Sequence, residues 1–285
     1  MLGFEISNLK CFKQINMKLA FSTLGCPDWS LDKIILKAVE YGFKGVELRG
    51  IERELYLPRA RDFSEVRIEE AKEKFERKGI KILCLSSSIH LIDELGRSKK
   101  ELIDYAVLSD KLGTKGIRVF PGNIQDGMEE REFIAKVTEN LSKLSDLAGT
   151  FKVNIFLETH GGLSSGKNAA ESVRNAGNSN IGIIWDIAHT FQAGEDVNES
   201  YSFLKEYLKH LHIKDEIVTG TNLVKSVLIG SGKVPVKNVL NILRADNYNG
   251  YISFEWEKFW QKDIEEPETA FPHFINKMKE YGICS

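Results

Sequence analysis

The stretch VNIFLE, residues 153–158, does most to indicate the fold of this chain, because its apolar side chains lead directly to the carboxylate of Glu158. An apolar run of this length is typical of a buried β-strand, and a carboxylate is costly to bury unless it is paired or bound to a cation. Three further apolar runs end in the same way, in Asp186, His212 and Glu255. Groups that can bind a metal ion therefore recur at the ends of successive predicted strands.

The three later runs are IGIIWD at 181–186, HLHIKD at 210–215 and YISFE at 251–255. Parallel strands that each carry a functional group at the carboxyl end build the active site of a (β/α)8 barrel. Two glutamates, an aspartate and a histidine that converge would offer three oxygen ligands and one nitrogen ligand to a divalent ion. One such residue alone is more often a helix cap or a salt-bridge partner, but four in succession favour a shared metal site.

Strand-like and helix-like segments alternate along the chain. The predicted strands are 17–22, 44–48, 80–86, 116–120, 153–158, 181–185, 209–213 and 251–255. The predicted helices lie near 30–41, 65–78, 98–112, 129–147, 168–177, 196–207, 235–245 and 267–280. Eight strands with intervening helices fit a closed barrel better than an open sheet. We therefore expect an α/β chain with one domain, a (β/α)8 TIM barrel at residues 17–285, after a short N-terminal extension at residues 1–16.

Local signals mark several helix ends. A glycine follows three predicted helices directly, where a left-handed residue would end each one: Gly42, Gly79 and Gly113. Ser98 and Glu101 form the pattern of a capping box, which predicts that the third helix begins at Ser98.

The overall composition excludes some classes of partner. The chain has 285 residues, a formal net charge of −2 and an isoelectric point near 6.4. These values give no electrostatic reason to expect nucleic acid or an anionic membrane surface as a partner. The longest apolar stretches are of strand length, far below the ~20 residues of a membrane span. The four cysteines are scattered and no secretory leader is visible, so we expect a cytoplasmic location.

Short motifs in a fixed order carry a resemblance to a known family. They are FST at 21–23, GVEL at 45–48, LETH at 157–160, WDIAH at 185–189, HIKD at 212–215, LIGSG at 228–232 and GYISFE at 250–255. Through them the chain resembles the xylose-isomerase-like TIM barrel superfamily, the sugar phosphate isomerase/epimerase family, from Met17 to about Tyr281. The order and spacing of the motifs are specific to the superfamily and not to one substrate.

The resemblance implies roles for particular residues. By it, the metal ligands are Glu158, Asp186, His212 and Glu255. Glu158 and Glu255 would also be the acid/base pair of catalysis. His189 matches a histidine that contacts substrate hydroxyls, or a second metal ion in some branches. Glu257 is a rival for Glu255, since both would face the same side of a continuing strand.

Further residues are candidates for contact with substrate: His160, Lys214, Glu47, His90 and Trp29. Each has a simpler alternative, such as a loop histidine for His160, a pair with Arg49 for Glu47 and core packing for Trp29. The segment GSGK at 230–233 follows the seventh predicted strand, where barrels often hold phosphate, so it is a candidate for a phosphate site.

The function that the resemblance implies is a sugar or sugar phosphate isomerase/epimerase that depends on a divalent metal ion. It would work through a metal-stabilised enediolate, with one ion per chain, Mn²⁺ first and Mg²⁺, Co²⁺ or Zn²⁺ as alternatives. Loss of a β-hydroxyl from the same intermediate would instead make the chain a dehydratase of the inosose type. The arginine that several ketose 3-epimerases place after the strand at His212 is not evident, which weakens the assignment to those enzymes.

Two rival functions come from other classes. An abasic-site endonuclease of the endonuclease IV type needs a three-zinc cluster, and this chain has FPG at 120–122 where that family has His-Pro-Gly. A non-catalytic sugar-binding barrel would be expected to have lost at least one of the four ligands. We therefore expect a small sugar as the partner, no nucleic acid or membrane, and a homo-oligomer.

Overall fold

The computed structural model describes residues 17–220 and 223–283, so the predicted extension at residues 1–16 lies outside the described residues. Its strands are β1 Lys18–Ser22, β2 Gly45–Leu48, β3 Lys81–His90, β4 Gly116–Phe120, β5 Asn154–Glu158, β6 Ile181–Asp186, β7 Leu208–Ile213, β8 Asp215–Val218, β9 Val224–Val227 and β10 Tyr251–Phe254. Eight of them form a closed parallel barrel in the order β1-β2-β3-β4-β5-β6-β7-β10, with β10 paired to β1. The predicted (β/α)8 barrel is therefore confirmed.

Helices connect the strands. They are α1 Leu31–Tyr41, α2 Ile68–Lys78, α3 Leu95–Leu112, α4 Glu130–Thr150, α5 Gly166–Ala176, α6 Ile187–Gln192, α7 Val197–Leu204, α8 Val236–Ala245 and α9 Pro267–Glu280. The glycines predicted to end α1, α2 and α3 all have left-handed backbone conformations, with φ of 90°, 64° and 68°. In the described part of the chain, no helix is long and apolar enough to cross a membrane.

Three features differ from the sequence-based expectations. α3 begins at Leu95, so Ser98 lies inside the helix and is buried, and the carboxylate of Glu101 accepts a hydrogen bond from the Ser88 amide instead of capping the helix. The short helix α6 was not predicted. The third difference is an antiparallel hairpin, β8 paired with β9, which follows β7 and lies outside the barrel sheet.

The interior of the barrel is filled by side chains, as is usual for this fold. Cys84, Phe156 and Ile184, from β3, β5 and β6, form a small buried cluster inside it. Gly116 on β4 leaves room for the Phe156 ring, since a Cβ at this position would lie 2.2 Å from Cε2 of that ring. The packed interior forms a floor, and it leaves the carboxyl ends of the strands as the place for a site.

The strand register brings the predicted functional groups to one end of the barrel. Asp186 is the residue on β6 that pairs with His212 on β7, and Glu158 pairs with Ile184 two residues before Asp186. The hydroxyl of Thr159 accepts a hydrogen bond from the Asp186 amide at 2.9 Å and donates one to the Asp186 carbonyl at 3.2 Å. β5 and β6 therefore end at a common level, and their carboxylates meet there.

Candidate functional site

Four side chains at the carboxyl ends of the strands converge on one point. Glu158, Asp186, His212 and Glu255 each offer one ligand atom, these atoms all lie within 4.8 Å of one another, and all four residues are buried. His212 Nδ1 is 3.5 Å from Glu158 Oε1, 3.4 Å from Glu255 Oε1 and 4.0 Å from Asp186 Oδ2. The structure thus brings together the four residues named as metal ligands, whose binding of a metal ion stays a prediction.

The donor atoms of this cluster suit a cation. His212 Nδ1 and Glu158 Oε2 are buried without a hydrogen-bond partner among the described residues. Burial raises the pKa of Asp186 to about 6, although the ammonium of Lys214 opposes the shift. Buried carboxylates that crowd together are unfavourable unless positive charge lies between them. An O₃N donor set with unpartnered atoms fits a divalent ion.

Asp186 has two roles that use different oxygens. Oδ1 accepts hydrogen bonds from the amides of Ala188 and His189 and so caps the N-terminus of α6. Oδ2 faces the cluster and lies 2.9 Å from Lys214 Nζ. The helix-capping alternative and the site role are therefore compatible, and the cap fixes the orientation of the carboxylate.

His212 is held from behind by Glu47. Glu47 Oε2 lies 2.8 Å from His212 Nε2 and 2.7 Å from His210 Nε2, while Oε1 accepts a hydrogen bond from Ser86. Burial alone would raise the pKa of Glu47, but the two imidazoles outweigh it and hold that pKa well below its usual range. A carboxylate at Nε2 favours the proton on that nitrogen, which leaves Nδ1 to face the cluster.

Glu47 was predicted to contact substrate, and the structure instead places it below His212, away from the cavity described next. Sequence reasoning also missed His210 and Ser86. His210 could have been found, because it stands two residues before His212 on the same strand and so faces the same side.

A cavity of about 370 Å³ opens above the four-residue cluster. Its lining includes two of the proposed ligands, three predicted substrate contacts and four residues without a firm earlier assignment: Glu158, Glu255, His90, His160, Lys214, Arg49, Arg118, Glu257 and Trp260. The volume suits a small molecule. The sequence reading missed Arg118 and assigned Arg49 no role beyond a possible partner of Glu47.

Lys214 ties together three carboxylates at the cavity. Its Nζ lies 2.9 Å from Asp186 Oδ2, 2.9 Å from Glu255 Oε2 and 2.9 Å from Glu257 Oε1. Burial would lower the pKa of Lys214, but these carboxylates raise it well above its ordinary value, so the amine is a cation. Glu257 therefore pairs with Lys214 and with Gln261, whereas Glu255 joins the four-residue cluster.

Two histidines stand next to the cluster as neutral imidazoles. His160 lines the cavity, its Nδ1 has no hydrogen-bond partner in the described structure, and its ring lies 4.4 Å from that of His189. Burial lowers the pKa of each to about 4, so both are uncharged near neutral pH. His189 Nε2 is 3.7 Å from Asp186 Oδ2, so this residue adjoins the cluster rather than the open cavity.

The two remaining substrate candidates differ in position. His90 lines the cavity and stacks on the Phe120 ring, with 5.4 Å between ring centroids. Trp29 is 3% exposed, packs edge-on against Phe271 and donates a hydrogen bond from Nε1 to Glu268. The structure does not bring Trp29 to the cavity, and core packing accounts for it.

The backbone amides of the glycine-rich segment at 230–233 bind a carboxylate from the same chain, that of Asp215. Asp215 accepts hydrogen bonds from the amides of Gly230, Gly232 and Val234, and a Cβ at Gly232 would lie 2.1 Å from Asp215 Oδ1. These amides are the donors that a phosphate would need. The Asp215 carboxylate occupies these donors, which argues against the phosphate-site candidate at this segment.

Comparison with known proteins supports this architecture. A profile of the xylose isomerase-like TIM barrel family matches residues 35–281. A 3-dehydroshikimate dehydratase of Bacillus anthracis is 21% identical over 255 residues, which cover 84% of this chain and 90% of that protein. The structure of the IolI protein with a bound zinc atom has a TM-score of 0.73 at 20% identity and covers 94% of this chain and 97% of its own. A D-psicose 3-epimerase of Clostridium cellulolyticum H10, solved with D-tagatose, has a TM-score of 0.73 at 16% identity, with 94% and 100% covered.

Proposed function

The chain belongs to the xylose isomerase-like TIM barrel family, and from this premise we propose that it is a divalent-metal-dependent enzyme acting on a small hydroxylated carbonyl compound. The reaction begins with removal of a proton from the carbon beside the carbonyl. The observation that carries the proposal is the convergence of Glu158, Asp186, His212 and Glu255 at the floor of a cavity of about 370 Å³, where His212 Nδ1 has no hydrogen-bond partner among the described residues.

The ion would be held by the four converging residues, with Mn²⁺ as the first candidate. A divalent ion at this position supplies a Lewis acid that stabilises negative charge on a carbonyl oxygen of the substrate. The zinc atom in the IolI structure is a precedent for metal binding on this fold, not for the identity of the ion here.

Two carboxylates are positioned to move protons. Glu158 ends β5 and Glu255 follows β10, and their Oε1 atoms lie 3.5 and 3.4 Å from His212 Nδ1. One can accept a proton from a substrate carbon while the other returns a proton to the opposite face or to the neighbouring carbon. The first outcome is epimerisation and the second is isomerisation.

Dehydration is a second candidate, favoured by His160. This neutral imidazole lines the cavity, its Nδ1 has no hydrogen-bond partner among the described residues, and it is not one of the four proposed ligands. Elimination of water needs a base for the carbon-bound proton and an acid for the departing hydroxyl, and His160 adds one such group to the two glutamates. The relative described as a 3-dehydroshikimate dehydratase supports the same candidate.

Metal analysis of protein purified without chelator tests the proposal. We expect about one divalent ion per chain in the wild type, its loss in His212→Ala, and its retention in the control His273→Ala, because His273 bonds the Ile229 carbonyl away from the cluster. Incubation of the metal-loaded protein with hydroxylated carbonyl compounds in D₂O should then place deuterium beside the carbonyl. An epimer or isomer supports the first candidate, and a product that has lost water supports the second.

Absence of metal even after incubation with Mn²⁺ would remove the proposed mechanism. Three zinc ions per chain would instead favour the endonuclease function.

A further inference from the structure

Arg118 is a buried cation with unused hydrogen-bonding capacity. It lies on β4, is 2% exposed, and its guanidinium carbon stands 3.6 Å from the centroid of the Phe120 ring. Its Nε and Nη1 have no hydrogen-bond acceptor in the described parts of the chain, although Nη1 is 3.2 Å from Glu158 Oε2 without hydrogen-bond alignment. A buried guanidinium with unpaired N–H groups is unfavourable unless a ligand supplies the acceptors.

Arg49 lines the same cavity as Arg118. It is 7% exposed, and its guanidinium donates to the Leu55 carbonyl at 3.3 Å and to the Ser88 hydroxyl at 3.0 Å, both of which are neutral acceptors. Burial, together with the positive charge of Arg118, lowers the pKa of Arg49 to about 10, so it is still a cation at neutral pH. Two like charges therefore line the same cavity.

Among the described residues, one carboxylate pairs directly with these arginines. Lys214 engages Asp186, Glu255 and Glu257, so Glu158 is the described carboxylate that forms an ion pair with either guanidinium. Glu101 adds negative charge nearby, but its carboxylate is bound to the Ser88 amide. Glu158 is also a proposed ligand, and a carboxylate that shares its charge with a dication neutralises an adjacent arginine less.

We propose that Arg118 and Arg49 bind an anionic group of the substrate, a carboxylate or a phosphate. The inference rests on the proposed function and narrows it: the substrate is an acidic hydroxylated carbonyl compound, not a neutral sugar. The guanidinium fork suits the paired oxygens of either anion, and Arg118 is stacked on Phe120, which limits its freedom before binding. Because Arg118 adjoins Glu158, the anionic group lies close to the reacting carbons.

The test compares acids with neutral counterparts on metal-loaded protein, by calorimetry at constant ionic strength. The probes are D-glucuronate against D-glucose, quinate against myo-inositol, and D-fructose 6-phosphate against D-fructose, with acetate and inorganic phosphate as the simplest anions. We expect at least one acid to bind about tenfold or more tightly than its neutral counterpart. The class of that acid distinguishes a carboxylate from a phosphate substrate.

Substitutions of the two arginines test whether they cause the preference for acids over neutral counterparts. Arg118→Met should reduce the affinity for the preferred acid by roughly 10- to 100-fold, and Arg118→Lys by less, because lysine keeps the charge but not the fork. Arg49→Met should reduce the affinity for the same acid and leave the metal content unchanged. This variant provides the test if Arg118→Met fails to fold. Arg77→Met, at a 65% exposed side chain on α2, is the matched control and should bind like the wild type.

Three results would overturn the inference. They are equal affinity for acids and neutral counterparts in the wild type, an acid preference unchanged in both Arg118→Met and Arg49→Met, or no binding of any anion at millimolar concentration. If Arg118 only positions Glu158, Arg118→Met will change metal affinity and leave the acid preference intact. If the protein binds no metal but prefers acids in an arginine-dependent way, the anion site is supported and the proposed function is contradicted.

Discussion

The Glu47 carboxylate is the hydrogen-bond acceptor for two imidazoles at once, and it shows how one residue outside the cavity can control the cluster. Its Oε2 contacts both His210 and His212, so the orientation of His212 depends on a residue from a distant strand. Such outer contacts commonly raise the basicity of a ligating imidazole and fix its tautomer.

Replacement of Glu47 by glutamine should weaken metal binding by roughly 10- to 100-fold, because the neutral amide is a poorer acceptor for the Nε2 proton of His212. The affinity can be measured by competition with a chelator of known strength. Cys26→Ala is the control: this residue is also buried, but its Sγ donates to the Thr23 carbonyl. Equal metal affinity in wild type and Glu47→Gln would show that Glu47 only fills space.

One physical reason explains why sequence analysis missed some residues of the site. From the sequence alone, a charged residue within an apolar strand, such as Arg118, is assigned to the solvent-exposed face of that strand. Its true position becomes evident only when the barrel is known to be closed. The four ligand candidates could be named because each lies at or next to the carboxyl end of a strand. Glu47 differs from these four, because the structure places its carboxylate against Nε2 of the proposed ligand His212.

At the scale of the elements, the packing between β4 and β5 limits the size of the side chain at position 116. Gly116 and Phe156 face each other across the strands, and the ring occupies the space that any larger residue at 116 would need.

Gly116→Ala should destabilise the protein by about 1–3 kcal/mol through overpacking against Phe156. Urea denaturation measures the change, and Phe156→Leu in the Gly116→Ala background should restore part of the loss by making room. Gly149→Ala is the control, since its Cβ would meet only Asn180 Nδ2, at 3.7 Å, and alanine is the better helix former. Equal effects of the two alanine substitutions would contradict this account of the packing.

Element types were predictable from periodicity, while several ends and insertions were not. The eight barrel strands were all expected, because parallel strands buried on both faces are continuous apolar runs. β3 continues to His90, beyond the expected residue 86, since its later residues pair with β4. The β8–β9 hairpin lacks such a run and depends on tertiary contacts, so local pattern did not indicate it.

At the scale of the whole molecule, partly buried histidines link stability to pH. The pKa of His160 is about 4 in the folded chain, against 6.5 as its ordinary value, because burial disfavours the charged form. The unfolded chain therefore binds more protons between these values, and the contribution of His160 to stability falls as pH decreases from 6.5 to 4. The pKa of Asp186 is raised to about 6, so its contribution to stability increases as pH decreases. The effect of His160 must therefore be measured as the difference between a variant and the wild type at each pH.

His160→Gln should gain stability relative to wild type, by on the order of 1–3 kcal/mol, when chelator-treated protein is moved from about pH 7.5 to about pH 4.5. Urea denaturation at the two pH values measures the difference. Ser164→Ala, which removes a neutral hydroxyl that donates to the Gly161 carbonyl in the same loop, should change stability equally at both. A pH-independent difference for His160→Gln would show that the imidazole is not buried in its neutral form.

The β8–β9 hairpin makes its backbone ladder within itself, so closure of the barrel does not depend on its sequence. Its connection to the cavity runs through Gln261, which bonds Ser226 on β9 and Glu257 at the cavity wall. Laboratory recombination between relatives can therefore exchange the outer part of this hairpin and alter substrate choice, provided that Asp215, which holds the amides of Gly230, Gly232 and Val234, is kept.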